Sequence, residues 1–492
     1  MDESSSDNVP AMARVWTVEH QFAFAQATGD VNPMHMDARV ARRTLAGERV
    51  VHGVHAALWA LDACSVKHSL ERLATLQMRF ERFVLVGDRT EITVHEAGAQ
   101  QIRLSLSVNG IRALTIQAAL ASERPPARPI EASQAAIPTQ PVVVDPTAIT
   151  GLAGAFRLLD PAAVVALAPR LAGAIGPTRV AALGGLSTLV GMFVPGLHSI
   201  LSKIDVTLTD VADGLSLAYA VKRFQPMLQS VMIEASGPGV TARVEGFVRP
   251  RPVEQESLQD LARLVQPGAF SGVSALIVGG SRGLGAATAK LIAAGGGEVC
   301  ITYASGADDA QAVAREIRDE GRHCQVLQYD AARPVAEQLG ALEINPSQLY
   351  HFATPRIFRQ KRALFEAACL EEMMRVYNYA FYELSLFCLA RREVVSAFYP
   401  STTAIDEAPR DTLEYVMAKT AGETLAAAMA RTIPNLRTVV ERLPRVKTDQ
   451  TATIFPVPAA LPSALMLPII QQMLAPVTRT ERDQAGPGSV SK

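Results

Sequence analysis

Apolar residues recur with one spacing in the first half of this 492-residue chain and with another in the second half. This change of spacing limits the possible folds more than any other feature of the sequence. Before residue 250, segments alternate apolar and polar residues, as at Leu104, Leu106 and Val108. This alternation predicts half-buried antiparallel strands. From Val273 onward, short apolar runs alternate with helical patterns, which predicts a doubly wound parallel sheet. The sequence therefore predicts an α+β region followed by an α/β region.

In the α+β region the same order of elements occurs twice. An apolar helix that starts near Gly53 precedes three alternating segments, and Asn109-Gly110 between two of them indicates a tight turn. A second apolar helix, predicted over 181–194, precedes four strands predicted at 203–208, 215–221, 230–236 and 241–248. Each module is expected to be a helix wrapped by an antiparallel sheet. Residues 153–175, just before the second helix, are rich in Ala and Leu and are predicted to be helical.

These patterns predict three domains. Residues 1–125 form the first module, residues 148–252 form a second and degenerate copy of it, and residues 268–478 form the parallel-sheet domain. The Pro-, Ala- and Gln-rich stretch 122–147 is interpreted as a linker.

Charge and cysteine content exclude several classes of function. The 47 Lys and Arg residues nearly balance the 48 Asp and Glu residues, so no nucleic-acid partner is expected. The five cysteines are far apart and lack CxxC spacing, which favours a reducing compartment over disulfides or a metal site. The start of the chain lacks a signal-peptide pattern, and Pro or Gly interrupts the most apolar windows. We expect a cytoplasmic protein without a metal and without a membrane partner.

One short loop sets a carboxylate and an imidazole close together in sequence. Asp30 and His35 are separated by Asn32 and Pro33 and preceded by Gly29, a combination that predicts a tight, non-helical backbone. A general acid and a general base on one rigid loop suit the addition of water to a double bond, or its removal. A simpler interpretation is a common Gly-Asp-x-Asn-Pro turn with His35 at the surface. His52, His55 and His68 are interpreted as packing or solvent-facing residues, and His198 as structural.

The loop and the segments after it resemble the MaoC-like (R)-specific enoyl-CoA hydratase/dehydratase family, whose fold is called the hotdog. The resemblance covers residues 22–121 and rests on Gly29-Asp30, Asn32-Pro33, His35, Asp37, His52-Gly53 and Val86-Gly87-Asp88. It implies that Asp30 and His35 share a water molecule and that Asn32 orients the loop. It also implies that a backbone N–H near Gly53 polarises the thioester carbonyl. With this resemblance, the predicted fold class is an α+β double hotdog followed by an α/β Rossmann domain.

A glycine-rich loop and a Tyr-Lys pair mark the parallel-sheet domain. Gly279-Gly280-Ser281-Arg282-Gly283-Leu284-Gly285 follows a predicted strand and opens a helix, and Tyr415 and Lys419 have YxxxK spacing. Together they resemble the short-chain dehydrogenase/reductase family, of the 3-oxoacyl-thioester reductase type, over residues 273–473. The resemblance implies that Tyr415 is the acid/base, that Lys419 lowers its pKa and binds ribose, that Ser401 holds the carbonyl and that Asn378 completes a proton relay.

The domain departs from the family at three places. Ser401 is one residue further from the tyrosine than usual, so Thr402 is an alternative for its role. Phe352-Ala353-Thr354-Pro355 replaces the usual Asn-Asn-Ala-Gly, and Pro444-Arg445 replaces Pro-Gly. A domain that binds the cofactor without catalysing reduction is the alternative interpretation.

The cofactor is predicted to be NADP(H). The second strand ends in Thr302-Tyr303-Ala304-Ser305, without the acidic residue that would accept the ribose hydroxyl of NAD, and Arg282 could meet a 2′-phosphate. A solvated charge on the loop is the alternative for Arg282. The predicted cofactor-binding residues are Gly279, Ser281, Arg282, Gly283, Leu284, Gly285, Tyr303, Ser305, Asp330, Ala353, Tyr415 and Lys419.

The two predicted chemistries share an intermediate, because reduction of a 3-oxoacyl thioester gives the 3-hydroxyacyl thioester that a dehydratase consumes. The resulting hypothesis is a bifunctional reductase and dehydratase (or hydratase) acting on thioesters of CoA or an acyl carrier protein, in a homodimer or larger oligomer. In an alternative, the third domain reduces an unrelated ketone or alcohol while the hotdog modules only bind an acyl group or serve as an oligomerisation platform.

Overall fold

The computed structural model describes residues 12–126, 134–211, 213–357, 364–407, 409, 412–451 and 457–475. The chain divides into two compact units, one of residues 1–252 with 452–457 and one of residues 253–451 with 458–492. The start of a helix predicted over 361–370 lies outside the described residues. No helix among the described residues combines the length and the apolar character needed to cross a bilayer.

The first unit contains both predicted hotdog modules. The elements of the first module are β1 (Ala13–Val15), α1 (Val18–Thr28), α2 (Pro33–Met36), α3 (Ala38–Ala41), α4 (Gly53–Cys64), β2 (Leu73–Phe80), β3 (Arg89–Ala97), β4 (Gln101–Val108) and β5 (Ile111–Leu120). Those of the second are β6 (Gln134–Ala135), β7 (Ala153–Arg157), α5 (Pro161–Val165), α6 (Pro169–Ile175), α7 (Pro177–Thr188), β8 (Ser199–Leu208), β9 (Ser216–Gln225), β10 (Ser230–Gly237) and β11 (Val240–Val248).

A long apolar helix lies at the centre of each module. Residues 54–64 of α4 are all buried, and so are residues 180–188 of α7, which continues into a single π-helical turn over Leu189–Phe193. Alternating side chains of the strands pack on these helices, and both helices contribute to one hydrophobic core. The period-two pattern arises in this way, because one face of each strand covers a helix while the other faces outward.

The strands of both modules form one sheet of eleven strands, in the order β1-β3-β4-β5-β2-β8-β11-β10-β9-β7-β6. Strands β2 and β8 join the two halves by antiparallel pairing from Thr75–Thr207 to Arg79–Lys203. The predicted turn at Asn109-Gly110 is confirmed, since both residues have positive φ, 51° and 73°, as a type I′ turn requires.

One predicted helical stretch is corrected by the structure. Residues 153–157 form strand β7, which pairs antiparallel with β9, and only the rest of 153–175 contains helices. Small residues such as Ala153, Gly154 and Ala155 have no strong periodicity, so the free backbone edge of β9 determines the local structure.

The second unit contains a parallel sheet with helices between its strands. Its elements are α8 (Leu258–Ala262), β12 (Ser274–Val278), α9 (Gly283–Ala294), β13 (Glu298–Tyr303), α10 (Ala307–Asp319), β14 (Cys324–Gln328), β15 (Gln348–His351), α11 (Ala367–Met374), α12 (Ala380–Leu389), β16 (Val395–Thr402), α13 (Ala404–Glu407), α14 (Leu413–Thr432), β17 (Leu436–Leu443) and α15 (Pro462–Met473).

The strands lie in the order β14-β13-β12-β15-β16-β17. From β12 the chain first adds strands on one side of the sheet and then, from β15, on the other side. All five pairings are parallel. In such sheets ligands bind beyond the carboxyl ends of the strands at the point of reversal. The predicted fold class, a double hotdog followed by a Rossmann-type sheet, is confirmed.

Candidate active sites

Asp30 lies in a buried loop between the end of helix α1 and the start of helix α2. Helix α1 ends at Gly29, whose φ of 81° is the left-handed conformation that favours glycine. The Asn32 side-chain oxygen accepts the backbone N–H of Met34 at 3.1 Å and so caps the short helix α2. The Asp30 side chain is 1% exposed between these two helix ends.

Both carboxylate oxygens of Asp30 accept hydrogen bonds. Oδ1 accepts the Asn32 backbone N–H at 3.2 Å, and Oδ2 accepts the Ser187 hydroxyl at 2.7 Å. Burial raises the pKa of Asp30 above its ordinary value, although the charge of His35 and these hydrogen bonds act in the opposite direction.

The His35 ring is oriented by a backbone carbonyl and by a second imidazole. Its Nδ1 lies 2.7 Å from the Val50 carbonyl oxygen, and its ring stacks on that of His52 with centroids 3.9 Å apart. Nδ1 therefore donates to Val50, which leaves Nε2 as the basic nitrogen. Burial lowers the pKa of His35, while the Asp30 carboxylate raises it. The pKa values of Asp30 and His35 thus move towards each other, which favours proton exchange between them through a shared water.

The second module completes the environment of the Asp30 loop. The Asn32 amide nitrogen donates to the carbonyls of Gly191 and Gly196, at 2.9 and 3.1 Å. The Thr188 hydroxyl donates to the Thr28 carbonyl at 2.7 Å. Ser187, Thr188 and Gly191 belong to α7 and its π-helical turn, so the degenerate module supplies hydrogen bonds to the acid–base loop of the first module.

Gly191 must lack a side chain for this arrangement to exist. A Cβ atom there would lie 2.3 Å from Asp30 Oδ1 and 2.7 Å from Oδ2. Gly191→Ala is therefore expected to displace the carboxylate and to lower the hydration activity that the resemblance implies about 100-fold, the cost typical of a misplacement near 1 Å. The rate would be measured on the intact chain, with thermal unfolding recorded in parallel.

Gly173→Ala provides the matched control, because Gly173 is an exposed helical glycine with nothing within 4 Å of its would-be Cβ. A Gly191→Ala protein that retains the wild-type hydration rate would mean that the position of Asp30 does not matter for turnover.

His52 belongs to this site, although the sequence analysis assigned it to packing or solvent. It is fully buried, its Nδ1 lies 2.9 Å from Gln21 Oε1 and its Nε2 lies 3.1 Å from the Asp30 carbonyl oxygen. Its position directly before the predicted helix start at Gly53 was the available signal, whereas nothing in the local pattern indicated Gln21.

Asp30, His35 and His52 also place one potential ligand atom each within 4.8 Å of one another. Both oxygens of Asp30 already accept hydrogen bonds, and the Nδ1 atom of His35 already faces the Val50 carbonyl. The cluster is better suited to proton transfer.

Gly53 begins helix α4, as predicted. Its N–H is at the first helical position, where the helix itself offers no acceptor. A Cβ at Gly53 would lie 2.8 Å from the Phe80 ring, so close packing on Phe80 requires glycine here. At this position the N–H can polarise a carbonyl, which is the role that the resemblance implies.

The glycine-rich loop of the second unit forms a cradle that side chains would fill. A Cβ at Gly285 would lie 2.2 Å from the Gly279 carbonyl oxygen, and one at Gly280 would lie 2.6 Å from Ile301. Gly279 packs against the backbone N of Ala353, 3.1 Å from its would-be Cβ. The loop leads into helix α9, so it fits a dinucleotide pyrophosphate at the helix N-terminus.

Two protein groups already contact this loop. Gln255 Oε1 accepts the Gly283 N–H at 2.7 Å, and Arg282 lies 3.6 Å from Asp449. Asp449 also accepts the Val253 N–H at 2.9 Å, so the segment around Val253–Gln255 lies along the loop. The amide oxygen of Gln255 stands where a phosphate oxygen could accept a hydrogen bond.

Gln255→Ala is therefore expected to tighten NADPH binding about five-fold, the equivalent of one neutral hydrogen bond that the cofactor no longer has to displace. The dissociation constant would be measured by titrating NADPH fluorescence. Glu254→Ala, an exposed change in the same segment, is the control and should leave it unaltered. Weaker binding in the Gln255 variant would indicate that this amide supports the loop instead of competing with the cofactor.

The structure brings Thr402, rather than Ser401, to Tyr415. The side chain of Thr402 hydrogen-bonds to Tyr415, whose pKa is raised by burial and lowered by this bond. The Ser401 hydroxyl instead donates to Glu423 Oε1 at 2.5 Å, and Glu423 pairs with Arg442. Successive residues of strand β16 point to opposite faces, so only one of the two hydroxyls can face the tyrosine.

Thr402→Val, which keeps the shape and removes the hydroxyl, is expected to lower the ketone reduction that the resemblance implies about 10- to 100-fold, because the carbonyl would lose a hydrogen-bond donor. Steady-state kinetics of Thr402→Val and Ser401→Ala would check this prediction. Ser401→Ala is expected to have the smaller effect. The opposite order would restore Ser401 to the predicted role.

Lys419 and Asn378 are both buried, and the Asn378 amide donates to the Ala418 carbonyl on the helix that carries Tyr415. Lys419 Nζ donates to the Pro400 carbonyl at 2.7 Å and lies 3.9 Å from the centre of the Tyr377 ring. Burial lowers its pKa to about 7. Asn378 Oδ1 accepts a hydrogen bond from the Tyr399 hydroxyl at 2.9 Å. The side-chain oxygen of the residue predicted to complete the proton relay is therefore already bonded to another tyrosine.

The remaining predicted cofactor residues surround the carboxyl ends of the strands. Tyr303 ends β13, and exposed Ser305 follows it. Asp330 follows β14, where its Oδ1 accepts the Ala332 N–H at 2.9 Å. Ser281 and Leu284 belong to the loop and the first turn of α9.

Comparison with protein families identifies the class of each region. Residues 9–115 match the family described as MaoC like domain, and residues 274–341 match the family described as short chain dehydrogenase. The chain thus carries a MaoC-like dehydratase domain near its start and a short-chain dehydrogenase domain further along. Asp30, Asn32, His35 and Gly53 lie inside the first match, whereas Tyr415 and Lys419 lie beyond the second.

Individual proteins match parts of the chain. The Cyclic-di-GMP-binding biofilm dispersal mediator protein of Escherichia coli (strain K12) is 39% identical over 77 residues, 16% of this chain and 32% of that protein. The chain thus matches about a third of the length of this curated relative.

Solved structures are similar at lower identity. A short chain dehydrogenase from Burkholderia cenocepacia in complex with NADP is 22% identical, with a TM-score of 0.38, over 42% of this chain and 91% of that one. FolM Alternative dihydrofolate reductase 1 from Brucella canis, complexed with NADP, is 18% identical, with a TM-score of 0.32, over 36% and 75%.

Proposed function

We propose that the protein is a bifunctional enzyme that reduces 3-oxoacyl thioesters with NADPH and interconverts (R)-3-hydroxyacyl and 2-enoyl thioesters. The observation that carries the proposal is the assembly of two separate acid–base sets in one chain. One is Asp30 with His35, and the other is Tyr415 with Thr402 and Lys419. The dehydratase and dehydrogenase types of domain support the same pair of reactions.

In hydration, a water between Asp30 and His35 loses a proton to this pair as its oxygen bonds to C3 of the enoyl group. A proton from the pair is delivered to C2, so no net proton is consumed. The N–H of Gly53 stabilises the negative charge on the thioester oxygen in between. Ser187 and Asn32 hold the Asp30 carboxylate and the loop in place throughout. Dehydration is the reverse sequence.

In reduction, Thr402 hydrogen-bonds the ketone oxygen and the Tyr415 hydroxyl gives it a proton. A nicotinamide held at the glycine-rich loop would be the source of the hydride that C3 accepts. The Lys419 ammonium lowers the cost of the phenolate that remains on Tyr415, since a nearby cation stabilises an anion. Arg282 and the loop around Gly283 would hold the phosphates, with the 2′-phosphate favouring NADP(H).

The product of reduction is the substrate for dehydration. Joining the two domains in one chain would raise the local concentration of this shared intermediate. The thioester carrier is CoA or an acyl carrier protein in fatty-acid or polyketide-type metabolism. We place the enzyme in the cytoplasm as a homodimer or larger oligomer. The wide spacing of its five cysteines and the lack of CxxC pairs favour a reducing compartment.

Two spectroscopic assays test the proposal on the full chain. NADPH oxidation would be followed with acetoacetyl-CoA, and loss of the enoyl chromophore would be followed with crotonyl-CoA. Both substrates should react, and chiral analysis of the hydration product should give the (R) isomer. Reduction of a simple free ketone in the absence of any reaction with either thioester would overturn it.

A further inference from the structure

The structure contains a buried cation beside the Asp30 loop that the hydration chemistry does not use. Arg249 follows strand β11 and is 3% exposed. One terminal nitrogen donates to the Leu197 carbonyl at 2.8 Å, while Nε is buried without a hydrogen-bonding partner. Among the described residues, no carboxylate forms an ion pair with this guanidinium. A buried charge in this state is costly unless a ligand neutralises it.

A second unpartnered group lies next to Arg249. The Arg249 backbone N–H donates to the His198 carbonyl at 2.7 Å, which continues the antiparallel pairing of Val248 with Ser199. Side chains at directly opposed positions project to the same face of a sheet. His198 is 8% exposed and its Nδ1 is buried without a partner. An unpartnered guanidinium N–H and an unpartnered ring nitrogen therefore lie on the same face of the sheet.

The acid–base site is close to both groups. Asn32 donates to the Gly196 carbonyl, and Arg249 donates to the carbonyl of the very next residue, Leu197. Arg249 also lies near enough to His35 for its charge to lower the pKa of that imidazole. The guanidinium is thus held by the same backbone segment that anchors the acid–base loop.

We propose that Arg249 and His198 bind a carboxylate on the acyl group, so that the preferred substrates of the hydratase site are thioesters of dicarboxylic acids. The planar fork of arginine matches the two oxygens of a carboxylate. A carrier phosphate is the other possible source of an anion. The pantetheine arm separates that phosphate from the thioester, whereas Arg249 is adjacent to the residues that act on the acyl carbons.

The proposal rests on the hydratase function above, and the test separates the two. Hydration of glutaconyl-CoA, which carries a free carboxylate, would be compared with that of crotonyl-CoA in wild type, Arg249→Gln and Arg249→Lys. We expect wild-type kcat/KM to favour glutaconyl-CoA at least about ten-fold through a lower KM, as for a charge-assisted hydrogen bond. Arg249→Gln should abolish this preference, and Arg249→Lys should restore part of it.

Arg243→Gln, an exposed change on the same strand, serves as the control and should keep the preference. An unchanged ratio between the two substrates in Arg249→Gln would overturn the proposal. The proposal would also be overturned if Arg249→Gln slowed the hydration of crotonyl-CoA but not that of crotonyl-pantetheine, which lacks the phosphates. The anion that Arg249 binds would then be the carrier phosphate.

Binding of glutarate alone provides a readout that is independent of turnover. Calorimetry on the full chain should detect binding to wild type that is at least about ten-fold weaker in Arg249→Gln. If wild type hydrates neither thioester but binds glutarate through Arg249, the hydratase function fails and the carboxylate site stands. If glutarate binds equally to both proteins or to neither, the carboxylate site fails.

Discussion

Replacing Asp30 by Asn is expected to lower thioester hydration about 1,000-fold while ketone reduction continues, because the group that exchanges a proton with water is lost. Asn has nearly the same shape, and its oxygen can still accept the Asn32 N–H, so the loop should keep its conformation. Hydration of crotonyl-CoA and oxidation of NADPH would be measured on the same preparation.

Asp37→Asn is the matched control, since Asp37 is a partly exposed carboxylate of the same segment that pairs with Arg39. It should leave both rates within about two-fold, as expected for a surface ion pair. A fall of less than ten-fold in Asp30→Asn would remove Asp30 from the proton-transfer step. Loss of both activities in this single variant would contradict the existence of two independent sites.

Tyr415→Phe is expected to produce the complementary result, a loss of ketone reduction of about 1,000-fold with hydration retained. The change removes only the hydroxyl that hydrogen-bonds Thr402, and it keeps the edge-to-face contact with the Tyr377 ring at 5.8 Å. NADPH should still bind, so a fluorescence titration separates loss of chemistry from loss of cofactor.

Tyr379→Phe removes a hydroxyl from a half-exposed tyrosine of the same unit and should have no effect on either rate. A Tyr415→Phe protein that reduces acetoacetyl-CoA at the wild-type rate would favour a different proton donor. A protein inactive before and after the change would favour the alternative in which this domain binds a cofactor without using it.

Residues close in sequence were the most predictable parts of the first site. Asp30 and Asn32 lie in one loop and His35 lies in the short helix α2 that follows, so their spacing is enough to predict that they act together. Ser187 and Gly191 approach Asp30 only because α7 packs against the loop, more than 150 positions away. No local pattern carries that information, so the contribution of the second module could not be predicted beyond a structural or substrate-shaping role.

The second site illustrates a different limit. The Tyr415-Lys419 spacing and the glycine-rich loop follow from short-range rules and could be identified directly. The choice between Ser401 and Thr402 depends on which face of β16 each hydroxyl occupies, and a shift of one residue reverses that assignment. Likewise, the contact of Gln255 with Gly283 depends on the path of the segment that enters the domain.

The eleven-stranded sheet ends in strands of very different length from those at its centre. β1 has three residues and β6 has two, while β2, which joins the two modules, has eight. Long unpaired strand edges invite other chains to add to a sheet, and natural proteins limit this by making edge strands short. A single-chain pair of modules therefore limits edge-to-edge aggregation, because the long strands β2 and β8 pair with each other where the modules meet and the sheet ends in two short strands.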